Sequence, residues 1–310
     1  MEKLQTLLES ATGLGHIHVC YWVPEGEPKG IVQLVHGMAE HIARYDDFAC
    51  FLAGHGYLVV GHDHAGHGNS MFGKPNEGYF ADSDGWSCLV RDIHSVYLDA
   101  SDRYPDRPYI LFGHSMGSML VRTYMSRRGE DMDGFIVCGT CGKNPVIGVA
   151  KLIAKQQIKK HGPKAKGTLL NKLAFGSYCK KWPDEKSEFC CLSAKKENVK
   201  HYEEDPWCGF LFTNKAFEDL FNGIAEISSK TWAQDVAYRP ILMIAGADDP
   251  VGDYGKGVKQ VYDELLKTNH NVRLKLYDGM RHEILNEDDN TTVYSDVLEF
   301  VDFIASKYEV

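Results

Sequence analysis

Ser115 stands between Gly113 and Gly117 in the stretch LFGHSMGS (111–118), directly after the apolar run from Pro108 to Phe112. A serine in that place can be a plain turn residue. It can also be a nucleophile, because G-x-S-x-G is the pattern of a sharp strand-to-helix elbow. The glycines are needed where neighbouring elements approach too closely for a Cβ. The nucleophile reading demands a base, a group that orients the base, and backbone donors for a developing oxyanion. In a mostly parallel sheet these partners follow in the order serine, acid, histidine, each in a loop just after a strand.

The chain supplies all of them. ILMIAGADDPVG (241–252) ends an apolar run with two adjacent acids, Asp248 and Asp249, between which spacing does not decide. His282 follows the run from Val272 to Tyr277 and precedes the last helical pattern. An earlier loop, VHGMAEH (35–41), places Gly37 before Met38, so the Met38 backbone N–H and that of Met116 could converge on an oxyanion. Losing one such donor typically costs about 3 kcal/mol of transition-state stabilisation. His114 and the glycines Gly37, Gly113 and Gly117 support the elbow and its loop. Glu40, His41 and Arg44 are read as braces of that loop rather than substrate contacts. With strand context and chain order both right, the turn-residue reading gives way to serine hydrolysis.

Positioning these groups takes an alternating fold. Strand-like runs cover His16–Val23, Gly30–His36, Tyr57–Asp63, Tyr109–Phe112, Gly134–Cys138, Pro240–Ala245 and Val272–Tyr277, with helical patterns between them. These helices are expected over Tyr45–Gly54, Trp86–Tyr104, Ser118–Arg127, Tyr254–Lys267 and Val293–Ser306. Such alternation argues an α/β fold, a mostly parallel sheet with helices on both faces. Residues 141–230 interrupt the alternation with helical spacing and no strong β-run. They are expected to form a helical cap over the C-terminal edge of the sheet, with 1–140 and 231–310 as the core.

Charge marks the same interruption. From Lys143 to Lys200 fourteen lysines face four acids, a net +10 in a chain whose formal charge is −9, which leaves −19 for the rest. That acidic remainder argues against nucleic acid as a partner. The mixed apolar and basic run Val149–Lys160 is expected to be a cap helix with its apolar face over the acyl pocket and its lysines in water, and transient contact with an anionic membrane surface is the other use of such a helix. His62, His64 and His67 lie close together, but no carboxylate or cysteine at ligand spacing accompanies them, so no metal and no cofactor is expected. Nine irregularly spaced cysteines and an acidic start suggest a reducing, cytoplasmic home. Cys138 and Cys141 end an apolar run, which suits a buried strand-end pair better than a redox motif. No run of about 18 apolar residues argues for a membrane span.

Five stretches carry a resemblance: HGMAEHIARY (36–45), GHDHAGHGNS (61–70), LFGHSMGS (111–118), AGADDPVG (245–252) and YDGMRHEILNE (277–287). Together they resemble the α/β-hydrolase superfamily, in the branch of monoacylglycerol lipases, bacterial lysophospholipase-like esterases and serine aminopeptidase-type hydrolases. DPWCGFLFT (205–213) is similar to the cap's return segment in bacterial members. The resemblance implies an eight-stranded sheet, Asp249 as the triad acid (the last residue of G-x-x-D from Gly246), and a lipophilic acyl ester as the small-molecule substrate. It departs from the common pattern at Ser118, where many relatives have glycine, and at Ala65, where many have arginine. An apolar acyl site is expected from the cap aromatics Trp182, Phe189, Trp207, Phe210, Phe212, Phe217 and Phe221. The alternative is an amide hydrolase acting at free N-termini, for which Glu203, Glu204 and Asp205 would hold the ammonium group. A non-catalytic binding protein on the same scaffold would be expected to lack a triad member. A dehalogenase or epoxide hydrolase would carry aspartate in place of Ser115.

Overall fold

Successive residues of a strand point to opposite faces, and here both faces are apolar. In the central strands Ile31, Val35, Tyr109 and Leu111 enter one core, while Val32, Leu34, Ile110 and Phe112 enter the other. A strand buried on both sides belongs in the middle of a sheet covered by helices. The computed structural model, which describes residues 1–71 and 73–308, has that arrangement.

Its elements run β1 Glu2–Glu9, β2 His16–Val23, β3 Ile31–Val35, α1 Asp46–Gly54, β4 Leu58–His62, α2 Gly85–Arg103, β5 Tyr109–His114, α3 Met116–Arg128 and β6 Gly134–Cys138. Then come α4 Ile147–His161, α5 Thr168–Phe175, α6 Lys196–Glu204, α7 Asn214–Ile227 and α8 Trp232–Asp235. The chain returns to the sheet with β7 Ile241–Gly246, α9 Lys256–Lys267, β8 Val272–Tyr277 and α10 Asn290–Ala305. The strand order is β1-β2-β4-β3-β5-β6-β7-β8, with β2 antiparallel to both of its neighbours and the rest parallel. Phe48, Leu52, Val297 and Phe300 carry α1 and α10 onto one face. Leu89, Ile93, Leu120, Val121, Val258 and Val261 carry α2, α3 and α9 onto the other. Each such fully buried side chain contributes roughly 1.5–3 kcal/mol through burial.

The expected strands are present within a residue or two, and β1 is an addition. Its residues EKLQTLLE are mostly exposed along an outer edge, so no buried period of two announces the strand. It pairs along its whole length with β2, from Glu2 opposite Val23 to Glu9 opposite His16.

The helices between β6 and β7 are not a free-standing lid throughout. Phe217 and Leu220 of α7 join the core cluster beneath α2 and α3, and a Cβ on Gly223 would sit 2.0 Å from the Trp86 ring. Trp232 closes the junction, donating from Nε1 to the Arg122 carbonyl at 3.0 Å. By contrast α4 buries Ala154 alone and leaves Val149 and Leu152 exposed.

Two glycines test how tightly the elbow is built. A Cβ on Gly117 would lie 2.0 Å from the Val35 carbonyl oxygen, backbone that cannot move aside, whereas Gly148 at the exposed start of α4 faces open space. Gly117→Ala is expected to lose about 3 kcal/mol in urea unfolding. Gly148→Ala should gain about 0.5 kcal/mol in the same experiment.

Candidate active site

Ser115 links the end of β5 to the start of α3 with φ 55 and ψ −121, a conformation that non-glycine residues rarely adopt. The surroundings over-determine it. Its N–H donates to the Cys138 carbonyl at 3.0 Å, and its carbonyl accepts from the N–H groups of Ser118 and Met119 at 2.9 and 3.2 Å. The Ser118 hydroxyl adds a third bond to that carbonyl at 2.6 Å. This is what the serine in place of the more usual glycine does here. A Cβ on Gly113 would meet the Gly117 carbonyl at 2.4 Å, so both elbow glycines are required sterically.

His282 and Asp249 sit in the loops after β8 and β7. The Asp249 side chain is fully buried, and its Oδ2 lies 2.9 Å from His282 Nδ1. Its other oxygen accepts the Val251 N–H at 2.8 Å. Asp248, the competing acid, instead forms an ion pair with Lys181 at the surface. The structure therefore separates two residues that spacing could not. Burial acts to lower the His282 pKa, but the Asp249 carboxylate, helped by Glu283 and Glu40, outweighs it and raises the imidazole above its ordinary value. His114, one residue before the serine, faces the His282 carbonyl with Nε2 at 3.1 Å. Its Nδ1 faces the Tyr45 hydroxyl at 3.0 Å. Among the described residues no hydrogen bond joins the Ser115 hydroxyl to His282. Such bonds often tighten only with substrate bound.

The loop after β3 lies against the elbow, where a Cβ on Gly37 would be 3.1 Å from that of Ser115. The Gly37 N–H donates to Glu40 Oε1 at 2.6 Å, and the Ala39 N–H to His67 Nε2 at 3.2 Å. Between them the Met38 N–H has no acceptor among the described residues, and neither has that of Met116 at the head of α3. Met38, Ser115 and Met116 line the same cavity. The three histidines considered above as metal ligands are buried scaffolding with His36. His64 donates to the His36 carbonyl at 3.1 Å, and burial lowers the His67 pKa to about 3. Asp63 shapes its turn by accepting the N–H groups of Ile42 and Asn69 at 2.8 and 2.9 Å.

The cavity has a volume of about 770 Å³ and runs from Ser115 under the inserted helices. Two expectations about its walls need correction. Of the seven aromatics, Phe221 lines it; Trp182 lies under the Arg281 guanidinium, Phe189 packs at a tilt against Tyr202, and Phe210 and Phe212 pack around His67. The walls come instead from aliphatic residues: Val149 and Ile153 of the basic helix, whose apolar face was expected there, and Leu170 and Leu173 of α5, which with Phe175 and Tyr178 sequence reasoning missed. Helical periodicity marks a buried face without saying whether it meets core or cavity. Second, Glu203, Glu204 and Asp205 do not line it: they engage Ser187, Lys200 and His41. Asp253 is the one carboxylate on its wall among the described residues.

A family model described as serine aminopeptidase, S33 matches residues 26–289. The chain belongs to that family. Over 297 residues it is 28% identical to the monoacylglycerol lipase of Mycolicibacterium smegmatis, covering 94% of this chain and 95% of the relative. It is 28% identical to the human monoglyceride lipase over 268 residues, or 86% and 80% of the two chains. A thermostable carboxyl esterase from Bacillus coagulans, solved in complex with glycerol, superposes with a TM-score of 0.93 at 31% identity over 98% of this chain and 99% of that one. The fold is thus that of the α/β-hydrolases, with eight strands as expected.

The carboxylate paired with His282 also raises its pKa, which gives a test. A neutral imidazole is needed to take a proton, so activity should fall as pH drops through the raised His282 value, above the ordinary 6.5. Asp249→Asn is expected to lower kcat by about 10⁴ and to move the acid limb of kcat/KM to lower pH. Asp248→Asn should leave both within a factor of a few. Stopped-time ester assays from pH 5 to 9 on the three proteins decide it.

Proposed function

We propose that Ser115, His282 and Asp249 form a catalytic triad and that the Met38 and Met116 N–H groups form its oxyanion hole. The chain is a serine carboxylester hydrolase. The observation that carries the reading is the buried Asp249–His282 pair at 2.9 Å beside a serine held on a strained elbow at the head of an apolar cavity. His282 takes the hydroxyl proton as Ser115 Oγ attacks the ester carbonyl carbon. The carbonyl oxygen becomes an anion and accepts from the two backbone N–H groups. Collapse expels the alcohol, which receives the proton from His282, and leaves an acyl-serine. Water attacks in turn, its proton passing through His282, and releases the carboxylic acid. Asp249 fixes the imidazole tautomer and stabilises its cation without taking the proton.

The substrate we propose is a lipophilic monoester of the monoacylglycerol or lysophospholipid class. The aliphatic walls of the cavity support it, as does the similarity to lipases and to an esterase solved with glycerol. A site for free N-termini has less to stand on, since the acids suggested for the ammonium group lie away from the cavity. Residues 141–230 are read as the cap that roofs the acyl chain. Nine cysteines, all unpaired, favour a reducing compartment such as the cytoplasm. Among the described residues no helix is long and apolar enough to cross a membrane.

Each methylene buried is worth about 0.8 kcal/mol, roughly a fourfold gain in kcat/KM. A p-nitrophenyl series from acetyl to palmitoyl should therefore rise by that step until the cavity is full. Ser115→Ala should abolish turnover while keeping the melting temperature. A maximum at acetyl, or persistent turnover by Ser115→Ala, would overturn the reading.

We further infer transient docking of α4 on an anionic lipid surface. Leu152 is exposed on α4, and Val146, Val149 and Leu173 are exposed where they also line the cavity; Lys151, Lys155, Lys159 and Lys160 of the same helix have no ion-pair partner among the described residues. The protein should float with vesicles containing phosphatidylserine at low salt and be released at high salt. Leu152→Glu should weaken that flotation, and equal flotation with zwitterionic vesicles would refute the charge argument.

A further inference from the structure

We propose that His41, Asp205 and Cys208 bind a zinc ion that ties the return segment of the insertion to the loop carrying Met38. This does not rest on the ester reading. One imidazole nitrogen, one carboxylate oxygen and the Cys208 sulfur all lie within 4.8 Å of one another on half-buried side chains. His41 Nε2 and Asp205 Oδ2 are already 2.8 Å apart. Tetrahedral zinc, at about 2.0 Å from nitrogen and oxygen and about 2.3 Å from sulfur, holds its ligand atoms roughly 3.3–3.6 Å apart. The His41–Asp205 pair would open by about half an ångström to admit it. Nitrogen, oxygen and sulfur donors together suit this borderline-soft ion better than magnesium or calcium, which take oxygen alone. Partial exposure at His41 and Asp205, 15% and 25%, leaves the fourth position to water.

The ligands are held in place before any ion arrives. Asp205 Oδ1 accepts the Trp207 N–H at 2.8 Å, and the Cys208 N–H donates to the Asp205 carbonyl at 3.0 Å, so one turn presents both side chains together. The charge nearby also favours a cation. Glu40 and Glu283 both pair with Arg44, His114 Nδ1 also faces Glu40 at 3.4 Å, and Asp205 adds a third carboxylate. On binding, the Cys208 thiol releases its proton to solvent and the thiolate joins the ion.

The place matters because this segment already clamps the loop beside the elbow. The Tyr202 hydroxyl and the Gly209 N–H both donate to the Ala39 carbonyl, at 2.8 and 3.0 Å, and Ala39 is held at φ 53. An ion at residues 41, 205 and 208 would fasten the same two segments a second time. His41 lies 164 residues from Asp205, so no sequence spacing announces the site.

Cobalt reads the geometry directly. Added to the full-length, chelator-treated protein, one equivalent should produce a thiolate-to-cobalt charge-transfer band in the near ultraviolet. Zinc should abolish that band and raise the melting temperature by several degrees. Cys208→Ser and His41→Gln should each lose the band and the zinc-dependent rise, while Cys208→Ser hydrolyses esters normally in chelator-treated buffer. No band in the parent protein, or a band that survives either substitution, overturns the assignment.

Discussion

One buried cation holds the candidate site together. Arg44 reaches Glu40 at 2.8 Å and both oxygens of Glu283 at 2.7 Å, with all three side chains almost wholly out of water. Burial alone would raise both carboxyl groups. Arg44 outweighs it for Glu283, and His114 with Arg44 outweighs it for Glu40, so each stays below the usual carboxylate range. Such a cluster is weak evidence of stability in itself, because desolvation offsets much of the attraction. Its consequence is positional, since removing one member would strand a buried charge at about 3–5 kcal/mol. Glu40 fixes the Gly37 N–H and the Tyr45 hydroxyl, which leads to His114. Glu283 adjoins His282 and accepts from Asn198 of α6 at 2.8 Å. The loop before the serine, the histidine loop and the insertion thus meet at one guanidinium.

The elbow could not work on a looser frame. Its strain at Ser115 persists because parallel strands β3, β5 and β6 fix the backbone on either side, and because glycine alone fits between β3 and α3. The sheet places Ser115, Asp249 and His282 in loops following β5, β7 and β8, so three residues far apart in sequence share one edge. That edge is where open α/β sheets offer a crevice.

Much of this was legible in the residues, and the reasons divide cleanly. Strands buried on both faces announce themselves as apolar runs, so β3 to β8 could be read within a residue or two. β1 could not, since an exposed edge strand has no apolar face to display. Ser115 and His282 follow from strand context and chain order. The choice of Asp249 over Asp248 does not, because adjacent residues share a spacing and only side-chain direction separates them. Glu40, His41 and Arg44 read as braces and act as braces. Their partner Glu283 was invisible, 239 residues from Arg44 and adjacent only through the fold. The cavity walls were misassigned to aromatics for a similar reason: a buried aromatic in the insertion can pack on the core as readily as on a ligand, and most here pack on the core.

The insertion does more than roof a pocket. Its residues Cys191 and Leu192 accept the His282 and Glu283 N–H groups at 3.3 and 2.7 Å, and Arg281 spans back to the Cys190 and Ser193 carbonyls. Farther along, Tyr202 and Gly209 hold Ala39 beside Met38. The same segment therefore supports the histidine from one side and the proposed oxyanion donors from the other, while α4 and α5 line the cavity. A shift of the insertion cannot change cavity shape without also moving groups aligned to a fraction of an ångström. On the proposed mechanism about 3 kcal/mol of transition-state stabilisation can hang on one backbone N–H, so such coupling registers in turnover as well as in binding. On the proposed mechanism, chain-length preference and catalytic alignment are two readings of how the insertion sits on the sheet.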